Sequence, residues 1–198
     1  MTSAEYPRER VESLIRKTKL QPCHRIMGCE HLSNPLGTAN GDSRFCAATD
    51  SYTVLYAAPD FITAFVETVV RDRFVQTGPR DIFLKEITER GWARIETKGQ
   101  ARFRLLDLRR DGCMRLGAPT DAVNARNHAA GRALGRTIHA GHRTVDGFLF
   151  SSRLTGGDAC AIYDRALRKL EVSASGLLAE HPDLPGILSR YDIRLVAT

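Results

Sequence analysis

A predicted strand that runs almost directly into a predicted helix is the feature of this chain that most limits its fold. Residues 51–58, SYTVLYAA, are rich in β-branched and aromatic side chains and favour a strand with two alternating faces. Pro59 and Asp60 stop the strand, and Asp60 is placed to cap a helix predicted over residues 61–73. Apolar side chains recur along one side of this helix at helical spacing, namely Ile62, Phe65, Val66, Val69 and Val70. A strand–turn–helix unit is therefore predicted here.

The other segments show strand and helix patterns in no regular alternation. Helices are predicted over residues 6–19 and 120–140, the second interrupted at Gly131 and Gly135, and a helix or turn is predicted around Leu177. Strand patterns occupy residues 24–27, 100–109, 145–153, 159–164 and 191–196. The third and fourth of these strands are joined by the Gly-Gly-Asp turn of LTGGD, which predicts a β-hairpin. This irregular order favours an α+β fold over a doubly wound sheet.

The longest predicted loop covers residues 30–43, where Asn, Gly, Ser and Pro are dense. Long loops inside compact domains tend to carry function. This loop is therefore a candidate for holding functional residues.

Charge and composition narrow the class of protein. The 198-residue chain has 29 Lys and Arg against 23 Asp and Glu, a net charge of +6, so an anionic partner is expected. The basic residues are spread along the chain without a helix-turn-helix, zinc-finger or RNP pattern, so a phosphate-bearing small molecule explains the charge as well as nucleic acid does. No apolar run reaches the roughly 20 residues of a membrane helix, and the charged N-terminal segment is unlike a signal peptide. A cytoplasmic protein is expected.

Patterns for common cofactors and metals are missing from the sequence. There is no G-x-G-x-x-G fingerprint, no P-loop and no H-E-x-x-H pair. The spacing Cys23…Cys29-x-His31 resembles half a zinc site without a second half. Five scattered cysteines, an odd number, favour free thiols in a reducing compartment. Neither a metal site nor a disulfide framework is therefore expected.

Two residues of the strand–turn–helix unit are candidates for a site. Glu67 lies at the edge of the apolar stripe of the helix, where it is either a solvated carboxylate or a carboxylate at the rim of a cleft. At such a rim, Glu67 would bind hydroxyls or stabilise positive charge. Tyr56 is either a half-buried strand aromatic or a platform on which a ligand stacks.

Two arginines and a pair of serines complete the candidates. Arg25 lies in the apolar HRIM stretch and Arg44 ends the long loop, so each is expected to form an internal salt bridge or to bind a diphosphate. Ser151 and Ser152 end a predicted strand, and the period of two requires one of them to face inward. No G-x-S-x-G elbow surrounds them, so a serine nucleophile is not indicated.

The order of these residues resembles the RES domain, a family named for Arg, Glu and Ser and found in toxins of bacterial Xre–RES toxin–antitoxin pairs. The matching segments are HRI with Arg25, SRF with Arg44, VLYAAPDFITAFVETVVRD with Tyr56 and Glu67, and DGFLFSSR with Ser152. They extend from about residue 24 to about residue 165 and are taken as the core of one domain covering residues 1–198. The strand–helix segment is the most specific of the four.

The resemblance implies an ADP-ribosyltransferase-like α+β fold, with a mixed central β-sheet and flanking helices. It also implies an enzyme that consumes NAD by cleaving the bond between nicotinamide and ribose. Members of the family look like phosphorylases that use inorganic phosphate, hydrolases, or transferases that modify a protein, so the acceptor stays open. The implied partner is an Xre-type antitoxin, with a homo-oligomer allowed in the complex and no direct contact with nucleic acid or a membrane.

The resemblance also implies a role for each matched residue. Glu67, Arg25 and Ser152 would be catalytic, with Glu67 stabilising a cationic ribose or holding its hydroxyls. Arg25 and Arg44 would bind the pyrophosphate of NAD, and Tyr56 would pack on the nicotinamide or its ribose. Ser152, which fits the family serine better than its neighbour does, would hydrogen-bond the nicotinamide ribose or amide. No metal is implied.

Two other functions are compatible with the same observations. A protein ADP-ribosyltransferase would use the same site and differ only in its acceptor. A non-enzymatic nucleic-acid-binding module is supported by the net charge alone, and it predicts binding that weakens steeply with salt.

Overall fold

The computed structural model describes residues 6–74 and 78–197. Its helices are α1 (Arg8–Ser13), α2 (Phe61–Phe65), α3 (Lys85–Thr88), α4 (Gly112–Leu116), α5 (Asp121–Asn124), α6 (Ala129–Gly141) and α7 (Leu184–Arg190). Its strands are β1 (Ile15–Thr18), β2 (Cys23–Gly28), β3 (Val54–Ala57), β4 (Asp81–Phe83), β5 (Arg90–Thr97), β6 (Phe103–Asp107), β7 (Gly147–Ser151), β8 (Asp158–Tyr163), β9 (Leu170–Leu177) and β10 (Arg194–Val196). None of the helices in these two ranges is long and apolar enough to span a membrane.

The strands form three sheets. The largest is mixed, with strand order β1-β6-β7-β8-β3, in which β6 and β7 are parallel and the other neighbours antiparallel. The second is an antiparallel sheet of order β2-β5-β9, and the third pairs β10 with β4 in parallel. The first two sheets meet where His24 and Ala58 exchange backbone hydrogen bonds of 2.7 and 3.0 Å. This junction places Arg25 on β2 close to Tyr56 on β3.

Strand β3 separates two parts of the hydrophobic core, which explains why both of its faces are apolar. Val54 and Tyr56 pack with the α4–α6 side of the mixed sheet, whereas Leu55 and Ala57 pack between the mixed sheet and the β2-β5-β9 sheet. A strand that is covered on both faces reads as a nearly continuous apolar run. The predicted strand is confirmed, although it is shorter than residues 51–58.

The helix that carries Glu67 changes its geometry halfway. The side chain of Asp60 accepts a hydrogen bond of 2.6 Å from the amide of Thr63, so the predicted N-cap is confirmed. After α2, residues Val66–Val70 form a π-helical turn in which the amide of Arg71 bonds to the carbonyl of Val66 at 2.7 Å. The predicted uninterrupted α-helix over residues 61–73 is therefore wrong in its second half. Such π-helical turns are rare and frequently lie at functional sites.

Three other predictions need correction. The helix predicted over residues 6–19 is only α1, because the charged residues that follow it pair as β1 with the edge of the mixed sheet. The helix or turn around Leu177 is instead the end of β9, an edge strand whose small, exposed residues lack an apolar alternation. The 120–140 helix is divided into α5 and α6, and the break does not occur at its glycines. The hairpin of β7 and β8 and the last strand are confirmed.

Candidate active site

A cavity of about 840 Å³ opens where β2, β3 and the Glu67 helix meet. Four of the five residues singled out in the sequence line it, namely Arg25, Arg44, Tyr56 and Glu67. The fifth, Ser152, is only 3% exposed and lies behind Glu67 rather than in the cavity wall. The fold thus brings all five residues together from four separate segments of the chain.

Glu67 is held by Ser152. The hydroxyl of Ser152 donates a hydrogen bond of 2.5 Å to Oε1 of Glu67. The same oxygen of Ser152 accepts bonds of 3.1 Å from the amides of Leu154 and Thr155, which leaves the single hydroxyl proton for the carboxylate. Ser152 is therefore the serine that faces inward, and its contacts make it a positioning residue for Glu67.

A second contact fastens the same hairpin to the same helix. Thr63 lies one turn before Glu67, and its Oγ1 is 2.9 Å from Oγ1 of Thr155. Thr155 Oγ1 also accepts a hydrogen bond of 3.1 Å from the amide of Gly157. Thr63 and Glu67 are four residues apart, and residues at this spacing lie on the same face of a helix. The hairpin therefore contacts this face at two positions. Sequence reasoning missed this pair, because the threonines are 92 positions apart.

Arg44 is placed by the residues on either side of it. The phenolic oxygen of Tyr56 lies 2.9 Å from Ser43 Oγ and accepts a hydrogen bond of 2.9 Å from the amide of Phe45. Tyr56 thus contacts both neighbours of Arg44, Ser43 through its hydroxyl and Phe45 through its backbone amide. Burial raises the pKa of Tyr56 to about 12, so the phenol stays neutral at physiological pH.

Helix α6 also supports Arg44 through its glycines. A Cβ atom on Gly131 would overlap the carbonyl oxygen of Arg44, and one on Gly135 would overlap that of Phe45. Both glycines therefore allow a close approach of the helix to this segment. The Arg44 guanidinium donates a bond of 3.0 Å to the carbonyl of Ala125. Burial lowers the pKa of Arg44, and the nearby charge of Glu67 opposes that shift.

Arg25 fastens the long polar loop to the edge of the cavity. Its guanidinium donates bonds of 2.9 Å to the carbonyl of Pro35 and 2.8 Å to that of Gly37. Burial lowers the pKa of Arg25 to about 10, which leaves it charged at neutral pH. Within residues 6–74 and 78–197, neither Arg25 nor Arg44 forms an ion pair, so the salt-bridge interpretation of these two residues is wrong.

The cavity wall carries more positive than negative charge. Seven arginines line it against three carboxylates, those of Asp42, Glu67 and Asp72. Asp72 pairs with Arg153 at 2.6 Å and with Arg126 at 3.5 Å, and two further arginines pair with Glu86 outside the lining. Among the residues the structure describes, Arg25, Arg44 and Arg71 lack an ion pair. The pKa of His128 is lowered by burial and by four surrounding arginines, which reflects this local excess of positive charge.

This arrangement suits a ligand with a phosphoryl group and a centre that becomes cationic. Unpaired guanidinium groups bind phosphate oxygens through their planar fork. A carboxylate held in place in a partly desolvated wall stabilises a developing positive charge, because it does not have to reorganise. The cavity volume is within the roughly 300–1,000 Å³ of small-molecule sites. A serine nucleophile is not indicated, because Ser152 is buried and does not line the cavity.

The chain is similar to known proteins over most of its length. Residues 22–185 match the family model of the RES domain. The probable toxin y4kH of Sinorhizobium fredii is 35% identical over 129 residues, which cover 64% of this chain and 100% of that protein. A chain in the crystal structure of the M. tuberculosis MbcT-MbcA toxin-antitoxin complex aligns with a TM-score of 0.64 at 16% identity, covering 85% of this chain and 90% of that chain. The predicted α+β fold, with a mixed central sheet and flanking helices, is confirmed.

Proposed function

Because the chain belongs to the RES domain family, we propose that it is the toxin of a toxin–antitoxin pair and that it cleaves the nicotinamide–ribose bond of NAD. The observation that carries the proposal is the pairing of a fixed carboxylate with unpaired arginines in one cavity. Ser152 holds Glu67 at 2.5 Å, and Arg25 and Arg44 have backbone carbonyls rather than carboxylates as partners.

The arginines account for binding of the dinucleotide. The diphosphate of NAD is a dianion, and the guanidinium groups of Arg44 and Arg71 line the cavity with no ion pair among the described residues. Arg25 uses two of its five N–H groups on loop carbonyls, which leaves donors for a ligand. We assign the diphosphate to these arginines of the cavity wall.

Glu67 is assigned to the cleavage of the nicotinamide–ribose bond. The electron pair of the bond between C1 of the ribose and the ring nitrogen leaves with nicotinamide, which becomes neutral, and the ribose becomes an oxocarbenium-like cation. The carboxylate of Glu67 stabilises that cation, or holds the ribose hydroxyls so that the leaving group departs. Inorganic phosphate then gives ADP-ribose 1-phosphate, whereas water gives ADP-ribose and a proton.

Incubation of the purified chain with NAD, with and without inorganic phosphate, tests the proposed reaction. Chromatography is expected to show free nicotinamide in equal amount to an ADP-ribosyl product. ADP-ribose 1-phosphate, with one phosphate more than ADP-ribose and formed only when phosphate is supplied, identifies a phosphorylase, whereas ADP-ribose in both samples identifies a hydrolase. NAD left intact under both conditions would exclude the proposed activity.

Expression in bacteria tests the toxin assignment separately. The chain expressed alone is expected to lower cellular NAD and stop growth, and co-expression of a small Xre-type antitoxin is expected to prevent both effects. Such a partner would most simply cover the cavity entrance near Arg44 and Glu67. Normal growth at unchanged NAD, with the soluble chain present, would contradict the toxin assignment.

A further inference from the structure

A second cavity, of about 650 Å³, lies at the end of the mixed sheet on the other side of the β7–β8 hairpin. Its wall includes Asp107 at the end of β6, Ser151 at the end of β7 and Asp158 at the start of β8. Arg16 on β1 and the arginines around α4 complete it. The lining differs from that of the first cavity, and none of its residues has a role in the proposed reaction.

Two of the three carboxylates in this wall, those of Asp107 and Asp158, share the hydrogen bonds of one arginine, Arg109. Arg109 donates from Nε and from a terminal nitrogen to the two oxygens of Asp107, each at 2.8 Å. The other terminal nitrogen of Arg109 donates to Asp158 at 2.5 Å. Asp107 is 8% exposed, and its hydrogen bonds to Arg109 lower the pKa of its carboxyl despite burial, so it stays ionised.

Four arginines line this cavity against the three carboxylates, so its lining carries a small net positive charge. Arg16 contacts Asp107 only through Nε, at 3.2 Å, so its two terminal nitrogens remain available. The exposed side chains of Arg110 and Arg115 form no ion pair within the described part of the chain. Asp111 is the one carboxylate of this wall that has no ion pair with any residue in 6–74 or 78–197. The hydroxyl of Ser151 adds a neutral donor to the same wall.

We propose that this second cavity binds a phosphate-bearing anion through Arg16, Arg110 and Arg115. These three arginines line one polar cavity, and arginine donates in a planar fork to the oxygens of a phosphoryl group. Inorganic pyrophosphate and the phosphate of a nucleotide both present such oxygens. The site is independent of the NAD reaction, because it shares no lining residue with the first cavity.

Calorimetric titration with inorganic pyrophosphate tests the site. The parent is expected to bind two equivalents, one in each cavity, and the double variant Arg110→Gln/Arg115→Gln is expected to lose one equivalent or to bind it at least about tenfold more weakly. Both side chains are exposed, so the variant is expected to unfold at nearly the parent temperature. The same titration with AMP, taken as the difference between the parent and this variant, distinguishes a nucleotide site, which binds AMP more tightly, from a site for the inorganic anion.

A matched control removes the same charge elsewhere. Arg102→Gln/Arg168→Gln changes two exposed arginines that line neither cavity. This control is expected to keep both equivalents. Equal binding by the parent and the Arg110/Arg115 variant, or an equal loss in the two double variants, would overturn the proposed site. One equivalent in the parent that is lost only in the Arg110/Arg115 variant would support this site and count against diphosphate binding in the first cavity.

Discussion

The two walls of the first cavity are built in different ways. The helix wall includes Thr63 and Glu67, which form hydrogen bonds with the side chains of Thr155 and Ser152 respectively. The loop wall consists of Arg25, Arg44 and Tyr56, whose polar groups bond mainly to the backbone of the loops around them. The carboxylate of Glu67 is held in place by a side chain, which suits a group that stabilises charge during bond cleavage. Arg25 and Arg44 are bonded to loop carbonyls, which suits groups that bind the substrate. The difference predicts that changes in the helix wall lower kcat and that changes in the loop wall raise KM.

The largest effect is expected for Glu67→Gln. The change keeps size and hydrogen-bonding capacity but removes the charge, so kcat for NAD cleavage should fall by about a hundredfold or more. The matched control is Glu171→Gln, an exposed carboxylate on β9 outside the cavity, which should retain parental turnover. Initial rates of nicotinamide release measure both variants. Activity within a few-fold of the parent would remove Glu67 from the mechanism.

Ser152→Ala should have the next largest effect. Loss of a hydrogen bond to a charged group costs about 1.5–3 kcal/mol, which corresponds to a fall in kcat of roughly tenfold or more with little change in KM. Ser151→Ala removes the adjacent hydroxyl, which faces the second cavity, and should leave kcat unchanged. Steady-state kinetics of both variants measure kcat and KM. Thermal unfolding shows whether a loss of kcat comes from a less stable fold rather than from a displaced Glu67. An equal loss of kcat in the two variants would show that the contact with Glu67 is not the cause.

Arg44→Lys should affect binding more than chemistry. Lysine keeps the charge but loses the fork and the reach to the Ala125 carbonyl, so KM for NAD should rise by about tenfold while kcat changes by less than about threefold. Arg25→Lys should act in the same direction, because it releases the carbonyls of Pro35 and Gly37. Arg168→Lys provides an exposed control outside the cavity. A loss confined to kcat would remove the distinction between the two walls.

The smallest effect is expected for Thr155→Val. Valine has the shape of threonine but loses the hydrogen bond to Thr63, and a net loss of about 0.5–1.5 kcal/mol lowers kcat by roughly two- to tenfold. Thr155→Ser keeps the hydroxyl and should restore most of that loss. Initial rates of nicotinamide release give kcat for both variants. An equal kcat in the two variants would show that the hydroxyl of residue 155 does not help to position Glu67.

Local patterns in the sequence were enough to predict several parts of this site. Asp60 as a helix cap, the β7–β8 hairpin and the family assignment are confirmed, because each depends on neighbouring residues or on motif order. The edge position of Glu67 on its helix was also readable from the helical period. The period of two could show that one of Ser151 and Ser152 faces inward, but not which one. That choice depends on a helix 85 positions away.

Other features depend on packing that no local pattern contains. Gly131 and Gly135 resembled helix breakers, yet they lie where α6 approaches the Arg44 segment most closely. Strand β9 was missed because an exposed edge strand of small residues has no apolar alternation to detect. The clustering of Arg71, Arg126 and Arg153 around one cavity arises from three distant segments, so their separate positions gave no signal.

The crystal structure of the Glu67→Gln variant soaked with NAD tests the central claim most directly, because a slow variant retains its substrate. The account predicts NAD in the 840 Å³ cavity, with its diphosphate on Arg44 and Arg25 and its nicotinamide ribose within hydrogen-bond distance of the side chain at position 67. NAD bound with the nicotinamide ribose away from position 67, or bound outside this cavity, would contradict the account.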